Sequence, residues 1–192
     1  MATVKRPFGL QPIRIRGGAP NTGALNTYRV GASAGPSDIG DGDPVKQIPG
    51  GTLQPATATT DYAVGVAKGF KWVDPVTRRP QWSNYLPAGT SSYDSNIYAY
   101  VVDDAQATFI IQADASVTVG DLGLNFDLSA VASVNTVFGK SQAVLKASSR
   151  ATASKMIRLV GLYDTPDNSW NDAYPIVEVR WVQHRDTQAS AF

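Results

Sequence analysis

One histidine, His184, stands with Asp186 two residues on, and an imidazole beside a carboxylate is the arrangement that makes a general base. Nothing in the sequence completes it. A lone imidazole cannot furnish a multi-histidine metal site, and no Gly-x-Ser-x-Gly elbow offers a nucleophile. The spacing therefore predicts a surface or edge-strand histidine. The chain has no cysteine, which removes disulfides, thiolate metal sites and a thiol nucleophile. No Gly-x-x-x-x-Gly-Lys-Ser/Thr loop and no strand-linked Gly-x-Gly-x-x-Gly cradles a phosphate.

Carboxylates come in groups: Asp38/Asp41/Asp43, Asp103/Asp104, Asp114/Asp121 and Asp164/Asp167/Asp172. Paired acids that converge on a cleft can hydrolyse glycosides, and this remains a minor alternative. Aspartate is also a turn residue, because its side chain accepts hydrogen bonds from backbone amides two or three residues on. The turn reading is preferred for every group. Residues 38–43 present hard oxygen ligands of the kind calcium takes, but the spacing misses the EF-hand loop and no glutamate closes it. No metal or other cofactor is expected.

Cations and aromatics carry more information. Residues 1–26 contain Pro7, Pro12 and Pro20, a density of breakers that argues for an extended N-terminal arm. Lys5, Arg6, Arg14 and Arg16 make it basic, and Phe8, Leu10, Ile13 and Ile15 give it apolar anchors. Together they predict an arm that orders along an acidic partner surface, so that deleting residues 1–16 leaves a folded core with weaker attachment. Trp72, Trp82 and Tyr85 lie near Arg78 and Arg79, a combination enriched in interaction hot spots. With Trp170 they are also the candidate stacking platforms of a carbohydrate-binding module.

These residues need a scaffold. Asn96–Leu128 holds two apolar, β-branched and aromatic runs, Ile97–Val102 and Phe109–Ile111, separated by Asp103-Asp104-Ala105-Gln106. The spacing predicts a strand–turn–strand core. Further strands are expected near 27–32, 45–48, 52–54, 62–73 with a bend at Gly69, 81–85, 126–128, 156–163 and 173–182. In the last, Val177, Val179 and Trp181 alternate with Glu178 and Arg180 and should face the core. No amphipathic helix longer than a turn or two is visible. With 43% hydrophobic and only 17% charged residues, the 192-residue chain reads as all-β, a β-sandwich, jelly roll or Greek-key barrel. Its core spans 27–192, either as one body or as a small lobe at 27–90 beside a main core at 91–192. A net charge of +1 gives no field that favours nucleic acid, and no run of apolar residues suits a membrane span or a secretory signal, so the expected place of synthesis is a cytoplasm.

Several short motifs, in order, resemble those of a known group. They are Arg6-Pro7-Phe8-Gly9-Leu10-Gln11-Pro12, Gly42-Asp43-Pro44-Val45, Val64-Gly65-Val66, the stretch Tyr98–Asp104, and Arg158-Leu159-Val160-Gly161-Leu162 running through Asp167-Asn168 to Val177-Glu178-Val179. The chain is similar to the capsid decoration, or cement, proteins of tailed bacteriophages over almost its whole length. The resemblance implies a non-enzymatic virion component on the capsid exterior. Its partners would be the major capsid protein and further copies of itself, with a trimer favoured over a dimer.

Overall fold

A computed structural model describes residues 4–16, 18–21, 24–31 and 33–187; the remainder of the expected arm and of the expected core lies outside these described residues. The chain is all-β, with antiparallel sheets packed in sandwich fashion and short 3-10 turns as its only helical elements among the described residues. The strands are β1 (Gln11–Ile15), β2 (Asn26–Gly31), β3 (Pro44–Gln47), β4 (Leu53–Pro55), β5 (Gly65–Val73), β6 (Pro80–Ser83), β7 (Ile97–Val102) and β8 (Ala107–Gln112). Short pieces follow: β9 (Asn125–Phe126), β10 (Leu128–Ser129), β11 (Val134–Asn135), β12 (Lys140–Ser141) and β13 (Val144–Leu145). Two long strands, β14 (Ile157–Leu162) and β15 (Ile176–Trp181), complete the set.

The two apolar runs at the centre of the sequence do form strands, but they do not pair with each other. β7 lies between β2 and β5 in one sheet of order β2-β7-β5-β3-β4, with β6 also on β5. β8 lies between β1 and β15 in a second sheet of order β1-β8-β15-β14-β9. Residues 103–106 are therefore a crossover between sheets rather than a hairpin turn. Asp103 fastens that crossover by accepting hydrogen bonds from Asn26 Nδ2 at 2.8 Å and the Tyr28 hydroxyl at 2.7 Å. Asp104 accepts the Gln106 amide at 2.7 Å, the local turn expected of aspartate.

Each sheet has its own apolar cluster. Phe109, Ile111, Phe126, Leu145, Met156, Leu159, Val177, Val179 and Trp181 pack on the inner face of the second sheet. The inward alternation expected for β15 is realised, and Phe109 meets Trp181 edge-on with ring centroids 5.6 Å apart. Val45, Leu53, Ala67, Phe70, Leu86, Ile97, Ala99 and Val101 form the other cluster. A parallel bridge between Arg29 and Thr52 brings β4 round towards β2 and curls this first sheet towards a small barrel. The expected bend in β5 is a bulge between Ala67 and Gly69. The sheets divide at the β7–β8 crossover rather than at residue 90, β1 belongs with the later strands, and Ala56, Ala63, Val66 and Val102 join the larger cluster from the earlier half.

β1 also overturns the picture of a free arm. Gln11–Ile15 pairs antiparallel with β8, Leu10 is fully buried, and Arg14 reaches across β8 to grip the Glu178 carboxylate. Pro12 is tolerated because β1 is an edge strand, and the chain then turns so that residues 19–21 cover its open side through hydrogen bonds from Ile15 to Ala19 and from Asn21 to Ile13. Just before β1, Gly9 (φ 71°) sits against Gly42 (φ 99°), where a β-carbon on Gly9 would lie 2.7 Å from the Gly42 carbonyl oxygen. Only glycine fits so close an approach with a positive φ.

Candidate partner-binding surfaces

The groups that suggested chemistry serve the scaffold. Asp43 is completely buried and accepts hydrogen bonds from the Gly40 amide (2.7 Å), the Ala132 amide (3.2 Å) and the Ser141 hydroxyl (2.5 Å). Burial outweighs these donors and pushes its carboxyl up to about 6. Asp41 beside it pairs with Lys68, 2.5 Å away, and with Lys140. This node ties the loop before β3 to β5 and to the β11–β12 hairpin. The remaining groups behave likewise: Asp38 takes the Ala88 amide, Asp114 the Ala147 amide, Asp121 the Thr118 amide and Asp172 the Ser169 amide. No cluster of metal-ligating side chains occurs among the described residues.

Of the surface or edge-strand placements expected for His184 the surface is overturned, and the residue makes a parallel bridge to Ala63 just past the end of β15. It is fully buried, its Nε2 lies 2.8 Å from the Val64 carbonyl oxygen and its Nδ1 accepts the Asp186 amide at 3.2 Å. The imidazole therefore cross-links the end of the chain to the start of β5 as a neutral group, and burial lowers its pKa.

The expected arm residues divide. Leu10 belongs to the core and Arg14 is occupied by Glu178, so neither is available to a partner. Phe8, Ile13 and Ile15 are half-buried, which leaves Lys5, Arg6 and Arg16 exposed. Lys5, Arg6 and Pro7 form one wall of a cleft of about 470 Å³, and Phe138, Asn135 and Gln142 form the other. Phe138 is 69% exposed at the tip of the β11–β12 hairpin, beside Val137 at 82%. The Arg6 amide is pinned by a 2.7 Å hydrogen bond to Gln112 Oε1, so the cationic wall is held against the body of the protein. Comparison with family models, curated proteins and solved structures finds no match for the chain.

A second surface lies on the outside of the curled sheet. Strand register sets Arg29 opposite Tyr98, Tyr98 opposite Lys71, and Lys71 opposite Trp82. Directly opposed residues share a face, so cations and aromatics alternate in one row across four strands. The Lys71 ammonium lies 5.6 Å from the Trp82 ring centre, and Arg78 lies 4.7 Å from that of Tyr93. Next to this row, Trp82 and Tyr100 flank the bare backbone of Gly69 and enclose a groove of about 230 Å³. The tryptophans thus separate. Trp82 is 62% exposed, while Trp72 packs on the barrel cluster and Trp170 on the larger one. Tyr85 is half-buried against the β11–β12 turn, where a β-carbon at Gly139 would meet its ring at 3.4 Å.

Sequence reasoning found Lys5, Arg6 and Trp82 but missed Phe138, Tyr98, Tyr100 and Lys71. Phe138 sits in residues 129–154, dominated by small residues and read as short strands joined by loops, and its exposure depends on a tip whose direction no local pattern sets. Tyr98 and Tyr100 fall within an apolar, aromatic run that as a whole reads as a buried strand. Their alternation with Ile97, Ala99 and Val101 was the signal: one set faces the barrel interior and the other faces outwards.

Proposed function

We propose that this chain is a non-enzymatic structural protein of a tailed-bacteriophage virion that binds the outer surface of the capsid and cements neighbouring major capsid protein subunits. The observation that carries this reading is the cleft between Lys5-Arg6-Pro7 and Phe138. An exposed aromatic tip beside fixed cations is the composition of a protein-binding hot spot, apolar at its centre and complementary to an acidic surface at its rim. The sequence resemblance supports the same assignment. The aspartate groups and the histidine that would otherwise argue for catalysis are engaged in turns, ion pairs and cross-links. Self-association into a trimer, which would multiply such clefts and raise avidity, belongs to this reading.

Co-sedimentation with expanded, undecorated shells of the cognate major capsid protein tests it. The wild-type protein should pellet with shells at a fixed stoichiometry, and Phe138→Asp should weaken attachment at least about tenfold, as expected for loss of a hot-spot aromatic. A wild-type protein that stays in the supernatant defeats the proposal. Light scattering on the isolated protein reads the trimer independently.

The groove between Trp82 and Tyr100 favours a second reading, a glycan-binding or host-contact module on the virion surface. Its mark would be a change in tryptophan emission on adding sugars that disappears in Trp82→Phe. Without such a change the glycan reading falls and the shell-binding reading is unaffected.

A further inference from the structure

The outer face of the sheet built from β1, β8, β15, β14 and β9 carries a second row of opposed residues. Arg14 stands opposite Thr108, Thr108 opposite Arg180, Arg180 opposite Arg158, and Arg158 opposite Asn125. Two arginines directly across an antiparallel ladder repel each other, and such pairs are destabilising unless their charge is met. Arg14 is met by Glu178. Arg158 and Arg180 are not, because no carboxylate among the described residues comes within ion-pairing distance of either.

Each spends its Nε–H on a neutral acceptor instead. Arg180 donates to Thr108 Oγ1 at 2.9 Å and Arg158 to Asn125 Oδ1 at 3.0 Å. Thr108 is fully buried and Asn125 nearly so, which fixes the inner edge of each guanidinium on a rigid strand. Among the described residues the terminal nitrogens of both have no hydrogen-bond or ion-pair partner. Both side chains line one cavity of about 380 Å³, and Arg16 lines it from the end of β1, where its amide is held by the Gln106 carbonyl at 2.9 Å. Three arginines thus line one cavity that has no acid among its described lining residues.

We propose that this cavity is a binding site for a phosphate-type oxyanion, a tetrahedral dianion taken either free or as a phosphomonoester. A planar carboxylate satisfies one guanidinium edge to edge, as Glu178 does with Arg14. A tetrahedral oxyanion offers several edges at once and carries the second charge that three arginines call for. The preformed Nε anchors mean that little side-chain freedom is lost on binding. The site shares no lining residue with the cleft at Phe138, and the inference does not depend on the shell-binding proposal.

The test is thermal unfolding and calorimetric titration of the full chain with inorganic phosphate, against acetate at matched ionic strength. Phosphate should bind saturably and raise the melting temperature, and acetate should do neither. Arg158→Gln removes the opposed like-charge pair, so it should melt higher than wild type in phosphate-free buffer while binding phosphate at least tenfold more weakly. That crossing of effects distinguishes a ligand site from a structural arginine. Arg180→Gln should weaken binding similarly, and far-UV circular dichroism identifies any variant that has not folded. If glycerol phosphate binds tenfold more tightly than inorganic phosphate, the phosphomonoester is the source; equal affinities identify the free ion. Equal response to phosphate and acetate, or phosphate affinity unchanged in both folded variants, overturns the proposal.

Discussion

Gly9 and Gly42 meet backbone to backbone, and the contact joins the segment leading into β1 to the turn leading into β3. The Leu10 amide donates to the Gly42 carbonyl at 2.9 Å, and a β-carbon on Gly9 would fall within 2.9 Å of three atoms of Gly42 and Ser141. Gly9→Ala combines a positive φ with this overlap. The expected cost is about 2–4 kcal/mol, read from the urea midpoint at unchanged m-value. A variant within experimental error of wild type would show that the two turns are not in contact.

Asp43 and His184 give the stability opposite dependences on pH. The Asp43 carboxyl is raised from its ordinary 3.8 to about 6, so folding takes up a proton there; its contribution is complete below about pH 4 and is lost as pH rises through 6. His184 is lowered by burial, so its contribution is complete above 6.5 and declines as pH falls below that value. In Asp43→Asn only the histidine slope remains. The amide cannot accept from Gly40, Ala132 and Ser141 together, so the variant should be less stable by about 1–3 kcal/mol near pH 5. The deficit should narrow towards pH 8, where the wild type carries an ionised buried carboxylate. Unfolding curves at pH 5 and pH 8 decide this, and a deficit that does not change with pH would contradict the assignment.

Two truncations separate the surface part of the N-terminal segment from its structural part. Removing residues 1–7 takes away Lys5, Arg6 and the donor to the buried Gln112 Oε1 but leaves Gly9, Leu10 and β1, and stability should fall by about 1–3 kcal/mol. Removing residues 1–16 exposes the edge of β8, empties the site of Leu10 and strands Glu178. Leu10 alone accounts for roughly 1.5–3 kcal/mol, and the melting temperature should fall by about 10 °C or more in total. Equal melting temperatures for the longer truncation and the full chain would restore the independent arm.

Trp82 should dominate quenching of tryptophan fluorescence by acrylamide. It is 62% exposed, whereas Trp181 is 9% exposed and edge-on to Phe109. Trp82→Phe should therefore lower the Stern–Volmer slope of the folded protein markedly, and an unchanged slope would place the accessible indole elsewhere.

Much of the architecture was legible because it is local. The alternation of Val177, Val179 and Trp181 announced which face of β15 is buried, and Gly69 announced the bulge in β5. What escaped was pairing. Ile97–Val102 and Phe109–Ile111 look like two halves of a hairpin because nothing in their periodicity says that each takes partners far away in sequence. Pro7 and Pro12 spoke against a strand in the N-terminal segment, yet a proline is acceptable on an edge, and only the sheet order reveals that β1 is one. The same limit hid the basic cavity. Arg158 and Arg180 lie far apart in sequence and each reads as an outward charge; strand register alone sets them face to face.

The sheet order also sets a sequence of events during synthesis. All strands of the curled sheet lie between residues 26 and 102 and can find one another as soon as that length has emerged. The other sheet takes β1 from ahead of that stretch, β8 from the middle of the chain and β15 from beyond residue 175. β1 must therefore wait, unpaired, for β8 to emerge, and β8 in turn for β15. The curled sheet can close early, while β1, made before any of its strands, waits for a sheet completed near the end of the chain.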